Sequence, residues 1–309
     1  MIDNVTVVII GKNEALHLRR TFTSVCKVTK NIIFVDSDSV DNSIDIAKEF
    51  NIPVILKVKA SYGTAALSRS VGATFAKTKY IQFLDGDETI EESWLPKAIS
   101  FLEKNHEIGG VHGYKKVFKE NDKDFYILSD GKDWEPDYLQ GAFLIKRAIY
   151  EASGGMETRI FGEEERDLYL RVKSEGFKLM HKNELMASHY DFKKKGIKNL
   201  MLGESSYTIW LPLFKAIKNG NLKNYVFVYR YLLPCLIIEL LSLISLAIDV
   251  AFIALVLFLQ LLELIFCIVI NRRGYFFVWK AAILNIPRAH LPFTRRYSHN
   301  VSVIKNESL

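Results

Sequence analysis

Apolar residues follow two rhythms along this chain, and the change between them divides it. Up to about residue 105, short bulky runs closed by Gly, Asp or Asn alternate with longer stretches of helical period. The runs predict strands over 5–10, 32–35, 53–58 and 80–84. The stretches predict helices over 15–28, 43–50, 65–77 and 94–105. Strand and helix in strict turn is the pattern of an α/β fold built on a largely parallel sheet. Residues 106–135 mix turns and short strands. Beyond them, 140–145 reads as a small buried strand, 146–152 and the Gly154-Gly155 turn follow, and Gly162 to Arg171 enters a helix ending near Gly176.

The second rhythm is an unbroken one. From 231 to 271 there is no Lys or Arg, and most residues are Leu, Ile, Val, Phe or Ala, the composition of a membrane segment. As one straight helix it would be ~60 Å long, about twice the ~30 Å hydrocarbon thickness. Two spans are therefore expected, with both ends cytosolic, because Arg230 flanks one end and Arg272-Arg273 the other. Ser242, Ser245, Asp249, Gln260, Glu263 and Cys267 fall on one helical stripe, with Glu239 nearby. That phase suits a continuous helix better than a hairpin, with the stripe a packed polar seam or a homo-oligomer contact; coincidental spacing around a hairpin tip near Asp249 is the alternative. Residues 275–297 mix aromatic and basic side chains as an interfacial segment does.

Charge supports the same division. Residues 1–190 carry 26 basic and 29 acidic side chains and residues 191–309 carry 15 and 6, so the net +6 arises wholly in the C-terminal part. Lys193, Lys194, Lys195, Lys198, Lys215 and Lys218 precede the apolar stretch and suit an anionic membrane surface. No zinc-finger spacing or aromatic-interleaved basic module points to nucleic acid. The expected domains are a catalytic domain over 1–225 and a helical membrane region with a basic interfacial tail over 226–309. Cys26, Cys235 and Cys267 are too few and too dispersed for a disulfide framework, which places the chain in a reducing cytosol. The N-terminus lacks the basic start and cleavage site of a signal peptide.

The chemistry lies at the strand ends. Asp85-Gly86-Asp87 closes the buried run at 80–84, where open α/β sheets bind ligands. Two carboxylates one residue apart can hold Mg²⁺ or Mn²⁺ with positions left open for a diphosphate; a plain polar turn is the alternative. Asp36 likewise ends a buried strand and can accept hydrogen bonds from a base and a ribose. Asp38 lies in the same acidic turn, and Asp41 and Asn42 read as caps of the next helix.

Taken in order, Val7 to Glu14, Val35 to Asp41, Gly63 with Arg69, Phe83 to Asp87, Gly154-Gly155-Met156 and Glu164 to Arg171 resemble the motifs of family 2 glycosyltransferases over about residues 3–190. The resemblance implies a GT-A fold, a nucleotide-diphosphate-sugar donor, a divalent cation and inversion at the anomeric carbon. By position it places Asn13, Glu14 and Asp36 at the nucleoside, Arg69 near the donor phosphates, and Asp85 and Asp87 as a DxD pair with Asp87 the more direct metal ligand. Glu164-Glu165 stands where the family usually has Glu-Asp, with Glu165 in the position of the catalytic base. His189 lies where many relatives have a His near the diphosphate or metal. Trp134 and Gln140 are candidates for the acceptor wall, and Asp167 and Arg171 for orienting the helix of the base.

The activity implied is transfer of one sugar to a lipid-linked or cell-surface glycan at the cytosolic face of a membrane. A polyprenyl-phosphate sugar synthase and a non-catalytic sugar-nucleotide-binding scaffold are the alternatives. A processive synthase is disfavoured, because the Gln-x-x-Arg-Trp motif is absent.

Overall fold

The computed structural model describes residues 1–60, 65–119, 125–127, 129, 131–136, 139–158, 160, 164–191, 210–230, 233–249, 252–269 and 299–306. The motif residue Gly63, Glu163, the lysines at 193–198 and the expected interfacial segment at 275–297 lie outside these.

Chain contacts separate two units. The first comprises Met1–Arg159, Glu164–Lys193 and Tyr297–Leu309, and the second Ile160–Glu163 with Lys194–Arg296. In the first, β3 (Val54–Ala60), β2 (Ile32–Asp36), β1 (Val5–Gly11) and β4 (Tyr80–Asp85) lie side by side in parallel. Beyond β4 the sheet turns mixed. There β8 (Phe143–Lys146) runs antiparallel, followed by β6 (Ile108–Lys119), β9 (Lys178–Asp191) and the edge strand β5 (Glu88–Ile90), with β7 (Phe125–Ile127) paired to β6.

The parallel strands are apolar on both faces because helices cover both. One of these, α1 (Ala15–Val28), buries Leu18, Phe22, Val25 and Val28 at helical spacing. Phe22 meets Phe34 of β2 edge-on at 5.5 Å, and each such side chain contributes about 1.5–3 kcal/mol by burial. Helix α3 (Ala65–Phe75) packs on β1 more closely than a side chain at its contact would permit. A Cβ on Gly72 would stand 2.3 Å from Val8 Cγ1. Gly72→Ala is therefore expected to destabilise the domain by about 1–3 kcal/mol through overpacking, as urea unfolding would measure. Arg69 lies one turn before Gly72, so the same change should also lower activity.

The early strands and helices lie where the periodicity put them, within a few residues. The stretch 106–135 does not: a 12-residue strand, β6, starts within it, and the 14-residue β9 beside it carries no alternating signal. Glycine and charge hide them. A Cβ on Gly110 would stand 2.8 Å from Leu144 O, and one on Gly113 2.4 Å from Glu184 O, so close strand approach excludes side chains there. The strand expected over 140–145 begins later, at Phe143.

The C-terminal boundary also differs from the expected one. Helices α7 (Trp210–Lys218) and α8 (Leu222–Val228) belong to the second unit, so the chain does not divide at 225. Residues 299–306 are not an interfacial tail. They form β10 (His299–Asn306), antiparallel to β3, which supplies partners for that edge's open backbone groups.

The second unit also contains α9 (Leu233–Ile248) and α10 (Ile253–Val269). The chain breaks between them, so the continuous helix is not realised. The two pack as a hairpin in which Gln260 Nε2 donates to Ser242 Oγ at 3.1 Å and Cys235 and Cys267 place their sulfurs 3.7 Å apart. Both pairs are symmetric about position 251, so the polar stripe is a seam and not a coincidence of spacing. At 16 and 17 residues the helices are shorter than the full spans expected. No helix among the described residues is by itself long and apolar enough to cross a membrane; Leu222–Val228 and Leu233–Ser242, meeting at 103°, reach that length and apolarity only together.

Candidate active site

The strand order reverses at β1, which has β2 on one side and β4 on the other, and this opens a crevice at their carboxyl ends. Register pairs Gly11 with Asp36 and Ile10 with Asp85, so the three ends finish level.

At one end of the crevice Asp36 is fully buried. Its Oδ2 accepts the Ser39 N–H at 2.8 Å, while Oδ1 has no hydrogen-bond partner among the described residues. Burial pushes this carboxyl up, against the pull of Ser39 and Lys57. Asn13 has φ +57°, a conformation Asn tolerates. Its Oδ1 accepts the Val40 N–H at 3.0 Å and its own N–H donates to Ser39 Oγ at 2.8 Å, so Asn13 clamps the loop that carries Asp36. Asp38 is tied to Lys57 at 2.9 Å, and that hydrogen bond holds its carboxyl below the usual range. Glu14 is buried and wedged beside Gly86, where a Cβ would stand 3.2 Å from both Glu14 Cγ and Ile10 O. Asp41 accepts the N–H groups of Ala15 and Ser43 and so serves two helix starts, whereas Asn42 makes no side-chain cap.

The centre of the site is Arg69, only 3 % exposed. One guanidinium nitrogen donates to Asp85 Oδ1 at 2.8 Å; the other donates to Glu164 at 3.1 Å and Glu165 at 2.7 Å. Burial disfavours its charge, but three carboxylates more than offset that, and its pKa is raised. Glu165 responds oppositely. Burial, then the neighbouring Glu164, push it up to about 8 against the pull of Arg69. Both glutamates stand in the first turn of α6 (Glu164–Ser174), and that helix is pinned from behind. Arg171 donates to Asp167 at 2.9 and 2.7 Å and to the carbonyls of Ser153 and Gly155. Gly154 and Gly155 have φ of +78° and +65°, which is why the turn it grips is a glycine pair.

At the other end, His189 Nε2 lies 3.3 Å from Asp87 Oδ2. Burial would lower the imidazole pKa, but Asp87 prevails and raises it. Asp85, Asp87 and His189 supply two carboxylates and one imidazole, groups able to ligate a divalent cation. No group of three His, Cys, Asp or Glu among the described residues is already gathered around a cation position. A bound ion would take its remaining positions from solvent or a ligand's phosphates.

Three contributors were not foreseen from the sequence. Glu88, 1 % exposed, accepts from Lys115 Nζ at 2.5 Å and from the Asp85 N–H at 3.4 Å, so a buried ion pair braces the acidic turn. A polar residue directly after Asp87 was the available signal for Glu88; only strand register reveals Lys115. Gly141 covers the Arg69–Asp85 bond, since a Cβ there would stand 2.8 Å from Arg69 Nη2 and 2.9 Å from Asp85 Oδ2. Gln140 is half-buried beside it. Trp134 packs its ring on His181 at 5.7 Å, and His181 in turn packs on His112, which gives it a packing partner inside the fold.

With this geometry the chain matches, over residues 6–156, the model of the family described as Glycosyl transferase family 2. It carries a glycosyl transferase family 2 domain. The matched stretch includes Asn13, Glu14, Asp36, Arg69, Asp85 and Asp87 and ends before Glu164, Glu165 and His189. An uncharacterized glycosyltransferase of Rickettsia bellii is 31% identical over 88 residues, 28% of this chain and 29% of its own. Glycosyltransferase GlyG of Streptococcus pneumoniae is 28% identical over 141 residues, 43% and 46% of the two chains. Poly(ribitol-phosphate) β-N-acetylglucosaminyltransferase TarP of Staphylococcus aureus is 28% identical over 110 residues, 33% and 34%. These matches span less than half the length of those relatives.

The GT-A fold is shared with solved structures. S. aureus TarS residues 1–349 superpose with a TM-score of 0.55 at 12% identity, covering 74% of this chain and 72% of that one. GalNAc-T7 with UDP, GalNAc and Mn²⁺ gives 0.52 at 17% identity, covering 62% and 44%.

Proposed function

We propose that this family 2 domain transfers one sugar, with inversion, from a nucleoside-diphosphate donor to a hydroxyl of a lipid-linked or cell-surface glycan, working at the cytosolic face of a membrane. The observation that carries the reading is the Arg69 bridge, because one guanidinium joins an aspartate of the DxD pair to the glutamate placed as base. Asp36 would receive the nucleoside. The UDP bound by a TarS structure and by GalNAc-T7 supports a uridine diphosphate donor.

In the transfer the acceptor oxygen bonds to C1 as the C1–O bond to the diphosphate breaks, and the acceptor's proton passes to Glu165. Arg69 holds Glu165 in place and lies beside Asp85, where negative charge gathers on the leaving group. Asp85, Asp87 and His189 would hold a divalent cation, which when bound neutralises diphosphate charge. An acceptor phosphate is already ionised near neutral pH and needs no base. A carboxylate held in the position of a base therefore suits a hydroxyl acceptor better than polyprenyl phosphate.

The test is transfer from UDP-sugars to lipid-linked glycan acceptors by the full-length chain, with and without Mn²⁺. Product should form only with the cation. Glu165 acts as the carboxylate, so kcat/KM should rise about tenfold per pH unit and level off above about 8. A nucleotide sugar that binds but is neither transferred nor hydrolysed under any of these conditions would refute the proposal.

A further inference from the structure

The second unit has its polarity inside out. The α9–α10 hairpin turns Ser242, Glu263, Cys235 and Cys267 inward, all at 3 % exposure or less. It turns outward Ile244, Ile248, Leu257, Phe258, Leu261 and Val269, each more than half exposed. Ser242 and Ser245 return their hydroxyls to the carbonyls of Ile238 and Leu241, so these groups make no demand on the surroundings. A water-soluble hairpin would place its polar stripe outward; one solvated by hydrocarbon places it in the seam.

Two further observations identify the occupant of that apolar surface. The short helices α7 and α8 present Phe214, Ile217, Leu222 and Val226 to the outside together with exposed Lys218 and Lys223, the mixture that settles in an anionic headgroup layer. The chain also leaves the catalytic sheet after β9 and rejoins it as β10. Charges interrupt both connecting stretches, at Lys193 to Lys195 before and at Arg272, Arg273, Lys280 and Arg288 after. Neither can cross a bilayer, so the intervening hairpin must begin and end on one side.

From these observations we infer that α9 and α10 enter a lipid bilayer as a two-pass hairpin, with α7 and α8 on the headgroups of the catalytic side and the tip at 249–252 reaching the opposite headgroups. At ~24 and ~26 Å the helices fall a few ångströms short of the ~30 Å hydrocarbon thickness, a mismatch that local thinning absorbs. Asp249 at the tip is then hydrated. The inference rests on the membrane attachment proposed above.

The full-length chain is tested in two steps. In flotation with phosphatidylethanolamine–phosphatidylglycerol vesicles it should rise with the lipid. If it stays below as an oligomer, a second copy covers the apolar surface, and both the attachment and the hairpin topology fail. The second step uses exposed Cys26 as reporter of the catalytic side and Val250→Cys as reporter of the tip. A membrane-impermeant maleimide applied to vesicles of the two orientations should reach Cys26 in one and the thiol at 250 in the other. Labelling at 250 from the Cys26 side, or from neither side, would leave attachment standing and overturn the two-pass topology.

Discussion

Glu165→Gln is expected to lower kcat by about 10²–10⁴-fold, the usual contribution of a general base, and to leave donor binding nearly unchanged. The carboxamide keeps the shape of the side chain and can still accept from Arg69. What it loses is the ability to take the acceptor's proton. Single-turnover transfer and UDP-sugar titration, measured on the same preparation, separate the two effects. A variant that retained wild-type turnover would remove Glu165 from the chemistry. One that lost donor affinity in step with turnover would move it to the donor site.

Arg69→Met should be costly in a different way. It deletes the cation that Asp85, Glu164 and Glu165 share and leaves two nearly buried carboxylates beside an apolar chain. Removing one partner of a buried ion pair costs about 3–5 kcal/mol, which for a domain of this size lowers Tm by roughly 10 °C. Asp85, at 34 % exposure, loses least because water reaches it. Arg69 is also what holds the Glu165 pKa down, so its loss should move the kcat/KM limb above about 8. Arg69→Lys supplies charge without the planar fork and should restore stability better than it restores the pH limb. A Tm and a limb both unchanged in Arg69→Met would show that the three carboxylates do not depend on this residue.

The sequence exposed the parts of this site that sit at ends. Asp36 and Asp85 follow apolar runs, and local alternation is enough to mark a strand and its last residue. Glu164 and Glu165 open a helix, which charge and period also mark. The pairing of the braces was invisible for a physical reason. Lys115 and Glu88 lie 27 positions apart on different strands, and neither β6 nor β5 has a pattern of its own. Gly141 matters only because Arg69 and Asp85 meet beneath it. Asn13 resembled a ligand residue, and its amide oxygen is spent on the loop that presents Asp36.

Local chemistry along the chain determined an α/β domain, its acidic strand ends, its paired glutamates and an apolar C-terminal stretch too long for one span. The hub at Arg69, the buried ion pair beneath the acidic turn, the seam of the hairpin and the return of residues 299–306 to the sheet were decided by tertiary structure alone. Each is a contact between segments distant in sequence. Such contacts depend on strand register, helix packing distance and the pairing of an open sheet edge, none of which local periodicity encodes.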